Sequence, residues 1–260
     1  MSQSPGSVLA GIPGWEDASV RALHGGLTNR TWLVEAQGRK AVLKIDDAPR
    51  AAPFNSRRKE AQIQTSAAAA GLANRVLAAT DVVYLTEYVD GDVWTPTEFD
   101  NDENLTQLGR ALRRMHALPL TGRTFDAKQA ARQYASQIEN ADTELLRGSL
   151  RVVDAMPSPS NLCCCHNDLV AGNIIATPQI RFLDWEYACD NDPFFDLATV
   201  VAHHDLSEDR AGYLLDAYFD GNGNRWRDRL AMYERFYVAI LWLWRESGSA
   251  SRDMRLPRVP

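Results

Sequence analysis

The sequence predicts an α+β protein of two lobes, with a β-rich first part and a mostly helical second part. Short β-prone runs separated by turn residues fill the first third of the chain, and apolar residues recur at helical spacing after about residue 105. We expect the two patterns to meet near Val89, with residues 1–89 as an N-lobe and residues 90–260 as a C-lobe. Ligands commonly occupy the cleft between two lobes, so we expect a small-molecule site there.

In the first part, β-propensity and turn residues place each element. We expect strands over 31–36, 40–45 and 82–89, a hairpin turn at Gln37–Gly38, and a helix from Ser56 to Ala70 that ends at Gly71.

In the second part, helical spacing is interrupted once by β-like segments. Leu105, Leu108, Leu112 and Met115 form one apolar helix face, with Asp102 or Asn104 as its N-cap. We expect further helices over 127–146, 214–218 and 226–244, the last two with Ser207 and Asn224 as N-caps, and β-like segments over 162–165, 174–176 and 180–183.

Composition and charge narrow the class of function. The 260 residues are 45 % hydrophobic and 24 % charged, which is typical of a globular protein, and the formal net charge is −6. Nucleic-acid binding relies on basic side chains that neutralise phosphates, so we expect no nucleic-acid partner. The chain contains no apolar run of roughly 18 residues and its start does not resemble a secretory signal, so we expect no membrane insertion and a cytoplasmic location.

Three of the four cysteines are consecutive, from Cys163 to Cys165. Successive strand residues point to opposite faces, so these three thiols cannot converge on one metal ion. We interpret them as small buried residues of a protein in a reducing compartment.

The clearest chemical pattern is an aspartate, an asparagine five residues later and a second aspartate sixteen residues after the first: Asp168, Asn173 and Asp184. Phosphoryl transfer from a nucleotide needs a carboxylate that takes the acceptor's proton, and an amide and a carboxylate that hold Mg²⁺. Each residue alone also fits a turn or a strand end. Together they indicate Mg²⁺-dependent phosphoryl transfer from a nucleotide; we expect ATP, although these residues do not distinguish it from GTP.

Two upstream features supply the other parts that this chemistry requires. The first is a segment with two consecutive glycines: Gly25, Gly26, Leu27, Thr28 and Asn29. Its backbone N–H groups are able to approach phosphates, because glycine has no side chain in the way. Such a turn is also typical of a hairpin. Lys44 is one of only four lysines and lies in an apolar run. It either binds phosphates, oriented by Glu60, or faces solvent on an edge strand.

With these motifs the chain resembles the choline/ethanolamine kinase and aminoglycoside phosphotransferase group, which is related to the protein kinases. The resemblance spans about Leu23 to Trp244 and rests on four segments: 25–30, 166–173, 184–188 and 192–198. It implies a protein-kinase-like fold, in which the N-lobe carries the nucleotide-binding sheet and one helix, and the C-lobe carries the catalytic loop and the acceptor site.

The resemblance also implies roles for individual residues. It makes Asp168 the catalytic base, and Asn173 and Asp184 the metal ligands. Lys44 becomes the cation on the ATP phosphates, with Glu60 as its helix partner. Residues 25–29 form the phosphate loop, and the main chain of Glu87 and Val89 forms the adenine-binding hinge. His166 is then an orienting residue, and Asp196 is a structural residue that bonds the backbone of the catalytic loop.

The acceptor site is implied by aromatic residues, because a quaternary ammonium binds ring faces. Tyr187 and Trp244 match two such positions, with Trp242 and Glu186 close by, although a tryptophan pair on a terminal helix is also typical of a core. The expected partner is a small, cationic alcohol such as choline or ethanolamine. The alternatives are thiamine, an aminoglycoside or another alcohol, or a catalytically inactive nucleotide-binding relative.

Overall fold

The computed structural model describes residues 4–23, 30–50, 55–139, 143–159 and 161–249. For Ser249 it describes the backbone and not the side chain. In chain order the strands are β1 (Ser19–Leu23), β2 (Arg30–Ala36), β3 (Arg39–Ile45), β4 (Val76–Ala79), β5 (Val83–Glu87), β6 (Asp92–Val93), β7 (Cys163–Cys165), β8 (Ile174–Ala176), β9 (Ile180–Phe182) and β10 (Cys189–Asn191). The helices are α1 (Pro5–Leu9), α2 (Arg57–Ala69), α3 (Asp102–His116), α4 (Ala127–Gln137), α5 (Thr143–Ala155), α6 (Pro193–His203), α7 (Glu208–Tyr218) and α8 (Arg227–Trp244).

The chain divides into two compact units. The first contains Met1–Asp92 and Ile175–Tyr187, and the second contains Val93–Ile174 and Ala188–Pro260. The first holds the large sheet and the second most of the helices, so the α+β class is confirmed. The functional division into lobes at residues 89 and 90 remains a prediction.

The first unit is built on a five-stranded antiparallel sheet in the order β1-β2-β3-β5-β4. The turn between β2 and β3 has positive φ at Gln37 and Gly38, 52° and 72°, as a tight hairpin requires, so the predicted turn is confirmed. β3 is the central strand, and Lys44 on it pairs in register with Thr31 on one side and Tyr84 on the other. The edge-strand interpretation of Lys44 is therefore wrong.

The apolar core of the first unit lies between the sheet and the N-terminal segment. Leu9 and Trp15 pack with Val34, Leu43 and Leu85 from three strands. The sequence pattern did not predict α1, β1 or β4. Helix α1 has only five residues, and β1 is almost wholly exposed, so neither shows an alternating or helical burial pattern.

Helix α2 forms as predicted and buries a charged face. Its N-cap, Ser56, accepts a hydrogen bond from the Lys59 amide at 3.2 Å, and the chain turns away at Gly71, where φ is 74°. Arg57 and Glu60 are both fully buried on this helix.

In the second unit, β7 and β10 form a two-stranded antiparallel ribbon and helices supply the rest. Residues 193–201 of α6 are all buried, so this helix is the centre of the unit. It packs against α8, while α3 packs against α7. No helix in the described ranges is long and apolar enough to cross a membrane.

Three helix predictions in the second unit need correction. The N-cap of α3 is Asn101, not Asp102 or Asn104, because its Oδ1 accepts from the amides of Glu103 and Asn104 at 2.9 and 3.1 Å. The single helix expected over 127–146 is two helices, α4 and α5, because Ile138 adopts an extended backbone conformation. Asn224 does not cap α8, since it lies inside a 3₁₀ turn that runs into the helix; Ser207 does cap α7.

The close contact between α3 and α7 predicts that one methyl group added at Gly109 destabilises the protein. A Cβ at Gly109 would lie 2.7 Å from the Leu214 carbonyl oxygen and 2.8 Å from the Ala217 Cβ. We expect Gly109→Ala to lower the free energy of unfolding by about 1–3 kcal/mol through overpacking, measured by urea denaturation. The control is Gly148→Ala on α5, where the added Cβ would lie 4.0 Å from the Arg151 Nη2, and it should raise the free energy of unfolding by about 0.5–1 kcal/mol. Equal effects of the two substitutions would contradict this packing.

Candidate active site

In the second unit, the Asp196 carboxylate holds the loop that carries Asp168. Its Oδ2 accepts a hydrogen bond from the His166 amide at 2.8 Å, and its Oδ1 accepts one from the Asn167 amide at 2.7 Å. His116 adds a third contact, with Nε2 3.1 Å from Oδ2. The expectation that Asp196 bonds the backbone of this loop is confirmed.

Asp168 and Asn173 lie together at the end of this loop. The Asn173 Nδ2 donates to the Asp168 Oδ2 at 2.8 Å and to the Asp168 carbonyl at 2.9 Å. These bonds orient the carboxylate and use the amide nitrogen, so the amide oxygen is the atom that Asn173 is able to offer to a cation.

Asn167 joins the loop to the ribbon. It has a left-handed backbone, with φ of 63°, and its Oδ1 accepts a hydrogen bond from the side-chain Nδ2 of Asn191 at 2.8 Å. Its Nδ2 donates to the Cys189 sulfur at 3.2 Å. The asparagine that follows His166 is therefore a structural residue that fixes the turn before Asp168.

Three residues that the motif search did not assign to the site surround this loop. Burial and the nearby Asp168 raise the pKa of the Tyr237 phenol, whose oxygen lies 2.9 Å from the His203 Nδ1. His204 stacks on Phe99 and its Nε2 lies 3.4 Å from the Leu169 carbonyl oxygen. Burial lowers the pKa of His204 to about 4 and also lowers that of His203, so both rings are neutral near pH 7.

In the first unit, Lys44 and Asp184 form an ion pair. The Lys44 Nζ lies 2.8 Å from the Asp184 Oδ2, and both side chains are largely buried. Burial acts to raise the pKa of Asp184. The charge and hydrogen bond of Lys44, together with the charges of Arg57 and Arg50, outweigh burial, so the pKa is lowered. The turn after β9 presents this aspartate with a left-handed backbone, φ of 60°.

The second carboxylate oxygen of Asp184 fits a metal ligand. Asp184 Oδ1 is shielded from solvent and has no hydrogen-bond partner among the described residues. A buried carboxylate oxygen without a partner is unfavourable unless a cation or donor satisfies it. Carboxylate and amide oxygens suit Mg²⁺, so Asp184 and Asn173 have the chemistry expected of its ligands.

Glu60 is not the direct partner of Lys44, which corrects the predicted pair. The Glu60 Oε2 accepts from the Arg57 Nη1 at 2.8 Å, because both lie on the same face of α2 one turn apart. Burial raises the pKa of Glu60 although the charges of Arg57 and Lys44 act to lower it. Lys44 is thus near Glu60, but its ion pair is with Asp184.

Glu186 is bound by an arginine, and its assignment to the acceptor site remains a prediction. Its Oε2 accepts from the Arg50 Nη1 at 2.6 Å, and the side chain is buried. Asn55 donates its backbone amide to the Glu186 carbonyl at 2.9 Å. These contacts tie the segment after Asp184 to the segment before α2 and leave Glu186 neutralised.

The role of Glu87 and Val89 as the adenine-binding hinge remains a prediction, and the structure shows which of their backbone groups are already hydrogen-bonded. The Glu87 amide donates to the Arg75 carbonyl at 2.8 Å, and its carbonyl accepts from the Asn74 Nδ2 at 2.6 Å. The amide of Glu87 is therefore in use, while its carbonyl keeps one lone pair. The backbone of Val89 makes no hydrogen bond to another described residue, so it is available to a ligand.

The aromatic residues assigned to the acceptor lie in both units. Tyr187 ends a 3₁₀ turn of the first unit, and Trp242 and Trp244 lie on α8 of the second. Trp242 lines a cavity of about 450 Å³ between α5 and α8, whereas Trp244 is half-buried and is not part of that lining. Their joint role is a prediction, and the glycine-containing segment 25–29 lies outside the described residues.

Comparison with known proteins gives the family. Residues 19–234 match the phosphotransferase enzyme family. Protein LicA from Haemophilus influenzae is 30 % identical over 90 % of this chain and 76 % of its own length. The crystal structure of a choline/ethanolamine kinase family protein from Mesorhizobium loti is 27 % identical, with a TM-score of 0.73 over 92 % of this chain and 83 % of the other.

A third likeness concerns the fold alone. The structure of the choline kinase LicA from Streptococcus pneumoniae is 22 % identical, with a TM-score of 0.74 over 89 % of this chain and 85 % of that one. The family match covers the Lys44–Asp184 pair and the loop of Asp168 and Asn173. The chain belongs to the phosphotransferase enzyme family.

Proposed function

We propose that this protein is an ATP- and Mg²⁺-dependent kinase that phosphorylates the hydroxyl of a small cationic amino alcohol such as choline or ethanolamine. The observation that carries the proposal is the Lys44–Asp184 ion pair, in which Asp184 keeps one buried carboxylate oxygen without a partner in the described structure. This arrangement suits a metal–nucleotide complex, since it combines a cation for phosphates with an oxygen ligand for Mg²⁺.

Asp168 acts as the proton acceptor in this proposal. Asn173 holds its Oδ2, and Asp196 fixes the two amides that precede it, so the carboxylate is oriented before substrate binds. The acceptor hydroxyl gives its proton to Asp168 as its oxygen attacks the terminal phosphate of ATP. An inactive nucleotide-binding relative is disfavoured, because Lys44, Asp168, Asn173 and Asp184 are all present.

Lys44, Asn173 and Asp184 bind the nucleotide in this proposal. Lys44 neutralises phosphate charge, and the Asn173 and Asp184 side-chain oxygens are the ligands for Mg²⁺, which when bound offsets the charge on the transferring phosphoryl group. The backbone of Val89 and the remaining lone pair of the Glu87 carbonyl contact adenine, and Gly25, Gly26, Leu27, Thr28 and Asn29 cover the phosphates. Glu60, with its pKa raised by burial, acts on Lys44 through charge and not through a direct bond.

The acceptor class rests on relatives and on charge. The Mesorhizobium loti relative is a choline/ethanolamine kinase family protein, and LicA of Streptococcus pneumoniae is a choline kinase. A net charge of −6 favours a cationic substrate over an anionic one. Tyr187 and Trp244, with Trp242, supply ring faces for an ammonium group. All four cysteines are free thiols, which supports action in a reducing compartment such as the cytoplasm.

The activity itself is tested by measuring ADP formation from ATP and Mg²⁺ with a panel of acceptors. Choline and ethanolamine should be the best substrates among choline, ethanolamine, thiamine, an aminoglycoside and a neutral alcohol. Turnover of the neutral alcohol without competition by choline would reject the acceptor class and leave the kinase chemistry in place.

Asp168→Asn should lower kcat by about 10²–10⁴-fold, because the amide keeps the shape but is no longer a base. Asp209→Asn, at an exposed position of α7, is the matched control and should leave kcat unchanged. Steady-state kinetics at saturating ATP and acceptor provide the measurement. Near-normal turnover by Asp168→Asn would show that another group takes the proton.

Lys44→Met should reduce kcat/KM for ATP by roughly 10- to 100-fold, since a charged hydrogen bond is worth about 1.5–3 kcal/mol. The control is Lys40→Met, four residues earlier on the same strand but exposed, which should behave like the wild type. Thermal melting must show that both variants are folded. If the two lysines proved equivalent for ATP, the phosphate-binding role of Lys44 would be excluded.

Trp244→Ala should raise the KM of the acceptor by roughly 2- to 30-fold, because one ring face contributes about 0.5–2 kcal/mol to binding an ammonium. The KM for ATP should stay unchanged, and so should both constants of the control Leu241→Ala on the same helix. An equal rise of the two KM values in Trp244→Ala would indicate a structural role for this tryptophan.

A further inference from the structure

Three side chains of types that bind metal ions lie close together in the second unit and have no part in the proposed reaction. They are His116, at the end of α3, and Cys163 and Cys165 on β7, and their ligand atoms all lie within 4.8 Å of one another. The three side chains are buried. The sequence pattern excluded convergence of three consecutive cysteines, but it did not consider two of them with a distant histidine.

Strand geometry brings the two sulfurs together. Cys163 and Cys165 are two residues apart, so they share one face of β7, while Cys164 points to the other face. Their sulfurs are 3.5 Å apart. Two thiolates bound tetrahedrally to a zinc ion at about 2.3 Å are roughly 3.8 Å apart, so a small adjustment suffices.

The hydrogen bonds of His116 show which ring nitrogen is able to bind a metal. Nε2 lies 3.1 Å from the Asp196 carboxylate, which only accepts hydrogen bonds, so Nε2 carries the proton. Nδ1 therefore holds the lone pair, and it lies 2.8 Å from the Tyr218 hydroxyl. A histidine that donates one N–H to a carboxylate and offers its other nitrogen is the arrangement common at zinc sites.

One backbone oxygen lies beside the two thiols. The Asn191 carbonyl oxygen, 3.6 Å from each sulfur, adds a fourth oxygen or nitrogen ligand position.

We propose that His116, Cys163 and Cys165 form a binding site for a thiophilic cation, Zn²⁺, with the Asn191 carbonyl as fourth ligand. On binding, each thiol loses its proton to solvent, the two thiolates balance the charge of the ion, and the ion replaces the Tyr218 hydroxyl at Nδ1. None of the site's ligands contacts Asp168, Asn173, Lys44 or Asp184 in the described hydrogen bonds and ion pairs, although His116 shares the Asp196 carboxylate with the loop that carries Asp168.

The first experiment titrates the full chain, reduced and freed of metal by a chelator, with Zn²⁺ against a chromophoric chelator. We expect one equivalent to bind with release of two protons. Cys163→Val and Cys165→Val should each weaken binding at least 100-fold, because valine keeps the strand but removes a ligand. Cys164→Val, on the opposite face of the same strand, is the matched control and should bind like the wild type.

A second measurement uses the wild-type chain alone, in case a valine variant does not fold. X-ray absorption of the zinc-loaded protein should show two sulfur neighbours at about 2.3 Å and two nitrogen or oxygen neighbours at about 2.0–2.1 Å. Four sulfurs, no sulfur, or an equal loss of affinity in Cys164→Val would overturn the proposal. Zinc binding with normal coordination in a protein without phosphotransferase activity would leave it standing and refute only the proposed function.

Discussion

The hydrogen bonds to the Asp196 carboxylate are the interaction on which the catalytic loop depends. A fully buried carboxylate is stable only if donors satisfy it, and here two backbone amides and an imidazole do so. Its position in the first turn of α6 adds the favourable field of a helix N-terminus. Because the amides of His166 and Asn167 are fixed, the left-handed conformation of Asn167 is held despite a cost of about 1–3 kcal/mol.

The same carboxylate connects the loop to the centre of the second unit. Asp196 belongs to the buried stretch of α6, and His116 ties it to the end of α3. The start of α6 is fixed in turn, since Asp192 caps the helix and pairs with Arg229 of α8. Asp168 is thus positioned by long-range contacts from three helices.

Sequence reasoning predicted those parts of the molecule where local chemistry decides the structure. The turn at Gln37–Gly38, the start of α2 at Ser56 and the cap at Ser207 follow from residues next to each other in the chain. The break at Ile138 was missed, although residues 139–144 are polar except for Ala141, because the search followed the apolar spacing on either side of them.

The candidate site shows the same division between local and long-range information. Asp168, Asn173 and Asp184 were found from their spacing, whereas the partners of the charged groups were not. Glu60 and Lys44 are both present as predicted, yet Glu60 bonds to Arg57, which lies three residues away on the same helix. The spacing of three residues on a helix is compatible with the Arg57–Glu60 pair, but the family motif indicated Lys44 as the partner of Glu60. The Arg50–Glu186 bond joins residues 136 positions apart, and nothing in the sequence indicates it.

Arg57 and Arg50 are the partners of several buried carboxylates in the first unit. Arg57 is fully buried and bonds both oxygens of Asp46, at 2.7 and 2.9 Å, besides Glu60. Burial acts to raise the pKa of Asp46, but its hydrogen bonds from Arg57 and Arg50 lower it. Arg50 and Arg57 therefore form ion pairs with Asp46, with Glu186 and with one oxygen of Glu60.

Charge balance then singles out Asp184. Among the described residues, and with the carboxylates ionised, the cluster has three cations, Lys44, Arg50 and Arg57, and four anions, Asp46, Glu60, Asp184 and Glu186. The two arginines are held by several ion pairs, while Lys44 has one ion pair in the described structure and a flexible stem. Two buried carboxylate oxygens of this cluster, Glu60 Oε1 and Asp184 Oδ1, have no hydrogen-bond partner among the described residues, so a cation bound there would offset negative charge. If that cation binds Asp184, Lys44 is released from its only ion pair in the described structure and is free to bind an anionic phosphate.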